Sequence, residues 1–251
     1  MNDLAKLLKD DGPQKGMAYR RPRDAATLIL IDRSDAVPRV LLGRRHHQLA
    51  FMPGKFVFPG GRTEAVDRAA PFASSLDAHM EAKLISETAR ANAAKARALV
   101  LAAIRETYEE TGLLLGTRGA RAPADGSKRS PVLAKSPWQA FRDAGVLPDL
   151  SALSFVARAV TPPGRPRRFD TRFFTADADT IAHRIDGMVG ENSELVELVW
   201  VPIAETQHLD LPGITRQVLR ELEARIAAGL AHDLPVPFFF TRYGKLSRKL
   251  L

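Results

Sequence analysis

Residues 105–113 read Arg-Glu-Thr-Tyr-Glu-Glu-Thr-Gly-Leu. This is the most informative stretch of the sequence, because it contains three closely spaced glutamates. On a helix, Glu106, Glu109 and Glu110 occupy positions i, i+3 and i+4, so that their carboxylates share one face. Three like charges so close together repel, and hard divalent cations such as Mg²⁺ prefer such oxygen clusters. Gly112 then ends the helix. The pattern predicts either a metal-binding face or a solvated acidic face.

A glycine-rich turn lies upstream, where Phe58-Pro59-Gly60-Gly61 precedes Asp67. Arg105-Glu106-x-x-Glu109-Glu110-x-Gly112-Leu113 resembles the second half of the Nudix box, the signature of the Nudix hydrolases, and Gly61 resembles the first glycine of that box. Asp67 occupies a position where the family usually has Glu. Residues 68–104 lie between the two halves, so a long insertion splits the box.

One branch of this family, which includes a peroxisomal coenzyme A diphosphatase, carries such an insertion. The turn from Pro59 to Asp67 resembles that branch, as do Thr161-Pro162 and the Arg-Phe-Asp-Thr-Arg-Phe-Phe run at 168–174. The resemblance implies an α/β fold of the Nudix type: an α/β/α sandwich with a mixed central sheet and an inserted helical segment within the box.

Composition fits one globular domain. Of the 251 residues, 45% are hydrophobic and 26% are charged, which are average values for such domains. We therefore expect residues 1–251 to form a single domain, with the insertion and the start of the box helix at 68–104 and a C-terminal helix and basic tail at 203–251. The absence of cysteine excludes disulfides and thiolate metal sites.

The apolar runs and the net charge of the chain indicate its cellular location and its binding partners. No apolar run approaches the length of a membrane span, and residues 1–16 lack an apolar signal core, so we expect a cytoplasmic protein without a membrane partner. The net charge of +8 suits a polyanionic substrate such as a nucleotide or coenzyme A, although a basic surface can also serve solubility alone. No helix-turn-helix is evident, so nucleic acid is not an expected partner. The sequence leaves open whether the protein forms a homo-oligomer.

Hydrophobic patterning predicts the main elements. Strands are predicted at 26–32 and 39–43, which form a hairpin, and at 153–160, 169–175 and 195–201. Helices are predicted across 76–112 in two pieces that meet near 91–93, and at 138–144 and 214–228. We expect the first piece, 76–89, to lie outside the core sandwich and to pack over the substrate cleft or against another subunit. The Phe run at 238–240 is predicted to pack in the core, with adenine stacking as the alternative.

The resemblance implies a role for each residue of the box. Glu106, Glu109 and Glu110, together with the backbone carbonyl of Gly61, would bind Mg²⁺ or Mn²⁺, and the three glutamates would form the catalytic set with Arg105. We expect Arg105 to orient a neighbouring carboxylate through a bidentate pair. The alternative for Arg105 is a surface ion pair.

Three further glutamates are candidates for the general base: Glu191, Glu194 and Glu197 precede or enter the predicted strand at 195–201. Glu194 and Glu197 are separated by an odd number of residues, so a regular strand points them to opposite faces. At most one of the two can then face the metal. Each of the three could instead be a solvated residue.

Four arginines are candidate substrate contacts. Arg44 and Arg45 follow an apolar run whose spacing resembles a coenzyme A motif of another Nudix branch, although Ala50 stands where that motif has its second arginine. Arg168 and Arg172 belong to the basic run at 165–172, which is compatible with phosphate binding. Solvated charge is the alternative for both groups.

Three functions remain open. The first is metal-dependent hydrolysis of the diphosphate linkage in coenzyme A or acyl-coenzyme A, which yields 3′,5′-ADP and (acyl-)4′-phosphopantetheine. The second is a diphosphatase for another nucleotide, such as ADP-ribose, a dinucleotide or an RNA 5′ end. The third is a nucleotide-sensing module without catalysis. The complete glutamate set argues against the sensor, and the insertion with the run at 168–174 favours coenzyme A.

Overall fold

The structure is a computed structural model that describes residues 20–88, 91–120, 133 and 135–251. Its strands, in chain order, are β1 (Arg23–Asp32), β2 (Arg39–Arg45), β3 (Phe56–Val57), β4 (Gly60–Arg62), β5 (Leu113–Leu115), β6 (Thr117–Arg118), β7 (Val146–Leu147), β8 (Ser154–Val160), β9 (Phe169–Asp177), β10 (Ile181–Arg184), β11 (Leu195–Pro202), β12 (Pro237–Arg242) and β13 (Lys245–Leu250). Its α-helices are α1 (Ala78–Ile85), α2 (Ala93–Thr111), α3 (Trp138–Asp143) and α4 (Gly213–Ala227). In the described ranges, no helix is both long and apolar enough to cross a membrane.

A mixed sheet forms the centre of the molecule, with the strand order β11-β2-β1-β9-β8-β12-β13. The pairs β1–β9 and β8–β12 are parallel, and the remaining neighbours in this order are antiparallel. β2 pairs with the end of β1, at Ile31 and Asp32, whereas β4 pairs with its beginning, from Ala25 to Thr27. The glycine-rich turn therefore becomes part of the sheet beside the first half of β1.

The sheet is buried on both faces, which explains why β1 reads as a continuous apolar run. Leu28 and Leu30 pack into one core cluster together with residues of α2. Ile29 and Ile31 point to the opposite face and join a second cluster with residues of α4. The sheet thus lies between α2 and α4, and the predicted α/β/α sandwich with a mixed sheet is confirmed.

Local signals fix both ends of α2. The Asn92 side chain accepts a hydrogen bond from the Lys95 amide at 2.9 Å, which caps the first turn. At the other end, Gly112 adopts a left-handed conformation with φ of 78°, and its amide donates to the Tyr108 carbonyl at 2.7 Å. The predicted break near 91–93 and the predicted stop at Gly112 are both confirmed.

The insertion contributes a short helix to the core. α1 begins after Asp77, whose side chain accepts hydrogen bonds from two amides of the first turn. Met80 and Leu84 are buried in the same apolar cluster as α2, and the Lys83 ammonium donates to the backbone carbonyls of residues 232 and 234. The predicted helix at 76–89 is therefore shorter than expected, and residue 89 lies outside the described residues. The predicted place outside the core is wrong, because Met80 and Leu84 are buried in the core cluster. Packing over a cleft or against another subunit stays a prediction.

The C-terminal segment differs from the sequence expectation. Residues 237–250 form the β12–β13 hairpin, which extends the sheet beside β8. Phe239 is 1% exposed and packs in the cluster beneath α4, so core packing of the Phe run is confirmed. The basic tail predicted within 203–251 is wrong, because Lys245, Arg248 and Lys249 lie on a paired strand. Lys249 also forms an ion pair with Glu87 of the insertion at 2.7 Å.

Two glycines test how tightly the end of α2 is packed. A methyl group at Gly112 would lie 2.1 Å from the Ile185 carbonyl oxygen, whereas Gly145, which also has a positive φ, has open space around the same position. We expect Gly145→Ala to lower the free energy of unfolding by roughly 1–2 kcal/mol through backbone strain alone. Gly112→Ala should lose an additional 1–3 kcal/mol or so, because the backbone must move. Urea denaturation of both variants measures the difference, and equal losses would contradict the packing.

Candidate active site

The acidic face of α2 meets the backbone of the glycine-rich turn. The Gly60 amide donates a hydrogen bond to the Glu110 carboxylate at 3.1 Å. A Cβ atom at Gly61 would lie 2.5 Å from the Glu106 carboxylate, so residue 61 must be glycine for that carboxylate to approach. Two of the three box glutamates therefore lie directly against the turn that the sequence predicted as their partner.

A buried arginine holds this arrangement together. Arg105 is 2% exposed and donates two hydrogen bonds to the fully buried Asp67, with Nε to Oδ1 at 2.7 Å and Nη2 to Oδ2 at 3.1 Å. Its other donors reach the Arg62 carbonyl at 2.8 Å, Glu106 at 3.0 Å and Glu109 at 2.5 Å. The predicted bidentate pair is confirmed. The same guanidinium fixes α2 to the strand that carries Gly61.

The hydrogen bonds between Asp67 and Arg105 offset the energetic cost of burying their charges. Burial alone would lower the pKa of the Arg105 guanidinium, but the hydrogen bonds and the negative charge of Asp67 raise it above its ordinary value. Asp67 in turn accepts a hydrogen bond from the Glu64 amide at 2.7 Å. Arg105 therefore stays charged at every pH at which the protein folds, and it acts as a fixed cation behind the box glutamates.

The negative charges of the box glutamates, in contrast, are only partly offset by nearby positive charge. Burial raises the pKa of Glu106 to about 7, although the charge of Arg105 opposes this shift. Burial also raises the pKa of Glu109. The pKa of Glu110 lies well above its ordinary value because of burial, and the charge of nearby Glu194 adds to the effect. Burial thus disfavours the charged form of each of these carboxylates, and additional positive charge beside them would favour it.

The donor set fits a hard divalent cation. Glu106 and Glu110 offer carboxylate oxygens on the side of α2 that faces Gly61, whose backbone carbonyl is a further oxygen donor. Within the part of the chain that is described, no three His, Cys, Asp or Glu side chains converge as a preformed metal site would require. Mg²⁺ is commonly held by one or two carboxylates, with substrate phosphate and water completing its shell. Two glutamates and one carbonyl are consistent with that kind of site.

An ion pair borders the site on the side of Glu110. The Arg45 guanidinium, at the end of β2, contacts Glu194 at 2.8 Å and donates through Nε to the Phe51 carbonyl at 3.0 Å. Both charges act on Glu110: Glu194 raises its pKa, whereas Arg45 lowers it. Glu194 lies just before β11 and is 49% exposed, so its carboxylate is open to water while its charge reaches the box.

The two other candidates for a general base lie elsewhere. Glu197 pairs with Arg44 at 2.8 Å, and both side chains are partly exposed. Arg44 and Arg45 are successive residues of a strand and point to opposite faces, so their partners Glu197 and Glu194 also lie on opposite faces. Glu191 is exposed in the turn before β11. Of these three glutamates, the structure brings Glu194 toward the box.

Arg168 and Arg172 are used inside the fold. Arg172 has no exposed surface, and its Nη1 donates to Asp24 at 2.8 Å and to the Asp170 carbonyl at 2.7 Å. Arg168 is buried and donates to the Thr161 carbonyl at 3.0 Å. The expectation that these two arginines contact a substrate is corrected by their burial, since their guanidinium groups link strand ends.

Sequence reasoning missed two contributors to the site. Asp67 was noted only as a variant of the box pattern, yet its carboxylate is the main partner of Arg105. The Gly60 amide, which donates to Glu110, was not singled out. The signal for Asp67 was available, because a lone acidic residue shortly after Gly61 and a buried arginine at the start of the box helix are complementary.

The raised pKa of Glu106 predicts a specific pH dependence in the metal-free protein. The folded state binds this proton more tightly than the unfolded chain, so the stability from Glu106 is full below pH 4.5 and is lost as the pH rises to about 7. The free energy of unfolding of Glu106→Gln, taken relative to that of the wild type, should therefore increase by roughly 1–3 kcal/mol as the pH rises from 4.5 to 7.5. Urea denaturation in EDTA measures this, with the exposed Glu223→Gln as control. A constant difference between Glu106→Gln and wild type at all pH values would refute it.

The chain matches no known protein-family profile. It is 28% identical to the acyl-coenzyme A diphosphatase NUDT19 of Gallus gallus over an alignment of 204 residues, which covers 64% of this chain and 53% of the chicken protein. The chain thus spans about half the length of this relative.

A solved structure is similar over most of the fold. The NUDIX hydrolase of Alicyclobacillus acidocaldarius aligns with a TM-score of 0.58 and 28% identity, covering 87% of this chain and 100% of the bacterial chain. This fold and the residues of the split box together support a place for the chain in the Nudix hydrolase superfamily.

Proposed function

We propose that this chain hydrolyses the diphosphate linkage of coenzyme A or acyl-coenzyme A and releases 3′,5′-ADP and (acyl-)4′-phosphopantetheine. One observation carries the hydrolase proposal: Glu106 and Glu110 lie against the Gly60-Gly61 backbone while Arg105 fixes the helix behind them. Such an array of oxygen donors can bind a divalent cation, which in turn would bind the anionic diphosphate.

Glu106, Glu110 and the Gly61 carbonyl are the proposed ligands for Mg²⁺ or Mn²⁺. Glu109 is the next candidate, although its carboxylate is already engaged by Arg105 at 2.5 Å. A bound divalent cation neutralises phosphoryl oxygens and makes a water molecule more acidic. The raised pKa values of Glu106 and Glu110 support this assignment, because a cation would compensate their burial.

Glu194 is the proposed general base. Its carboxylate is half exposed, so water can reach it, and its pairing with Arg45 at 2.8 Å holds it on the side of Glu110. In the reaction, the oxygen of a water molecule forms a bond to one phosphorus, the bridging P–O bond breaks, and the water proton passes to Glu194. Arg45 acts as a positioning residue for Glu194, and Arg44 and Arg45 are candidate contacts for the phosphates.

The choice of coenzyme A rests on similarity and chemistry. The chicken relative is named an acyl-coenzyme A diphosphatase, and both the insertion at 68–104 and the run at 168–174 resemble the coenzyme A branch. The net charge of +8 favours a substrate with several phosphates.

Glu110→Gln tests the metal-binding face. It should lower kcat for coenzyme A by about 10²-fold or more, because an electrostatic contributor to the transition state is lost. The fold should survive, since the buried carboxylate is costly without a cation. The matched control is Glu223→Gln on the exposed face of α4, which should keep full activity. Near-normal turnover by Glu110→Gln, or by the wild type in EDTA, would eliminate the proposal.

A pair of variants tests the general base. Glu194→Gln should reduce kcat by roughly 10²- to 10⁴-fold and should abolish the acidic limb of the pH–rate profile. Glu197→Gln is its matched control, because Glu197 pairs with Arg44 in the same way on the opposite face of the strand. Steady-state kinetics between pH 5 and 10 measure both. Equal effects of the two substitutions would show that Glu194 has no special role.

A further inference from the structure

A cavity of about 440 Å³ lies on the α4 side of the sheet. Its apolar floor includes Phe173 and Phe239, which belong to the cluster beneath α4, and Ile214 of the first turn of α4 lines another side. We call it the α4-side cavity. Its volume is within the usual range for a small-molecule pocket, and its lining is of the apolar and aromatic kind that receives a flat ring.

Two arginines border the cavity and lie on the connection between β8 and β9. Arg165 is half-buried and Arg167 is exposed. In the described structure neither has an acidic partner, in contrast to Arg172 of the same basic run, which pairs with Asp24. Lys55, which also lines the cavity, forms an ion pair with Asp210 at 2.8 Å. The uncompensated positive charge at the cavity therefore comes from Arg165 and Arg167.

The α4-side cavity is joined to the candidate active site through one side chain. Phe51 lines the cavity, and its backbone carbonyl accepts a hydrogen bond from Arg45 at 3.0 Å. The same guanidinium contacts Glu194, whose charge reaches Glu110. Arg45 therefore contacts residues of both places: Glu194 beside the box and Phe51 at the cavity.

We propose that the α4-side cavity binds the nucleotide end of the substrate, with the adenine on the apolar floor and the ribose 3′-phosphate between Arg165 and Arg167. An acyl chain would fill the apolar floor but would leave both cations without a partner. A nucleotide that carries a phosphate on its ribose supplies a flat ring and a dianion together. This proposal rests on the proposed function and names the residues that select its substrate.

Binding without turnover tests the proposal. Isothermal titration in EDTA compares adenosine 3′,5′-bisphosphate with AMP, which lacks the 3′-phosphate. The wild type should bind the bisphosphate about 10- to 100-fold more tightly, as charge-assisted contacts allow. The double variant Arg165→Ala, Arg167→Ala should lose this preference and keep its affinity for AMP. Arg220→Ala, an exposed arginine on α4, is the matched control and should behave as wild type.

Steady-state kinetics separate this proposal from the proposed function. With coenzyme A, the double variant should raise KM by about 10- to 100-fold with kcat nearly unchanged, whereas KM for dephospho-coenzyme A should stay constant. Hydrolysis of coenzyme A that is indifferent to both arginines would overturn the cavity proposal and leave the hydrolase intact. Arginine-dependent binding of the bisphosphate without any hydrolysis would support the cavity and refute the proposed activity.

Discussion

The buried pair of Asp67 and Arg105 is the interaction on which the rest of the site depends. These two residues flank the insertion, so their contact closes a long loop. It thereby brings the two halves of the box together. Removing one partner of such a pair costs about 3–5 kcal/mol, because the other charge stays buried without compensation. The remaining donors of Arg105 hold the Arg62 carbonyl and two box glutamates. One guanidinium thus fixes the distance between Gly61 and the acidic face of α2.

This constraint explains how the fold accommodates an insertion inside its most demanding motif. Loop-closure entropy grows slowly with length, so a long excursion costs little if both of its ends are held. Asp67 and Arg105 hold the ends, and Met80 and Leu84 of α1 anchor the middle in the core beside α2. Lys83 ties the insertion to the segment before β12. The inserted residues therefore add buried contacts without displacing Gly61.

Local signals predicted the sandwich well, whereas long-range partners could not be predicted from one sequence. The apolar runs of β1 and β2 and the helix stop at Gly112 are encoded within a few residues, and they predicted the main hairpin and the end of α2. The short pair β5–β10 was missed because its two strands are distant in the sequence. The β12–β13 hairpin is local, but a Phe run followed by basic residues is also typical of a packed segment that leads into a solvated tail. The arginines at 165–172 look equivalent in sequence. Only the fold brings Asp24 to Arg172 and leaves Arg165 at a cavity.

The central claim is that the acidic face of α2 and the Gly60-Gly61 turn serve the hydrolysis of a coenzyme A diphosphate. Mass spectrometry of the products formed from coenzyme A with Mg²⁺ or Mn²⁺ in H₂¹⁸O tests it most directly. We predict 3′,5′-ADP and 4′-phosphopantetheine in equal amounts, with one ¹⁸O atom incorporated at the phosphorus that water attacks. Intact coenzyme A beside rapid cleavage of ADP-ribose under the same conditions would contradict it.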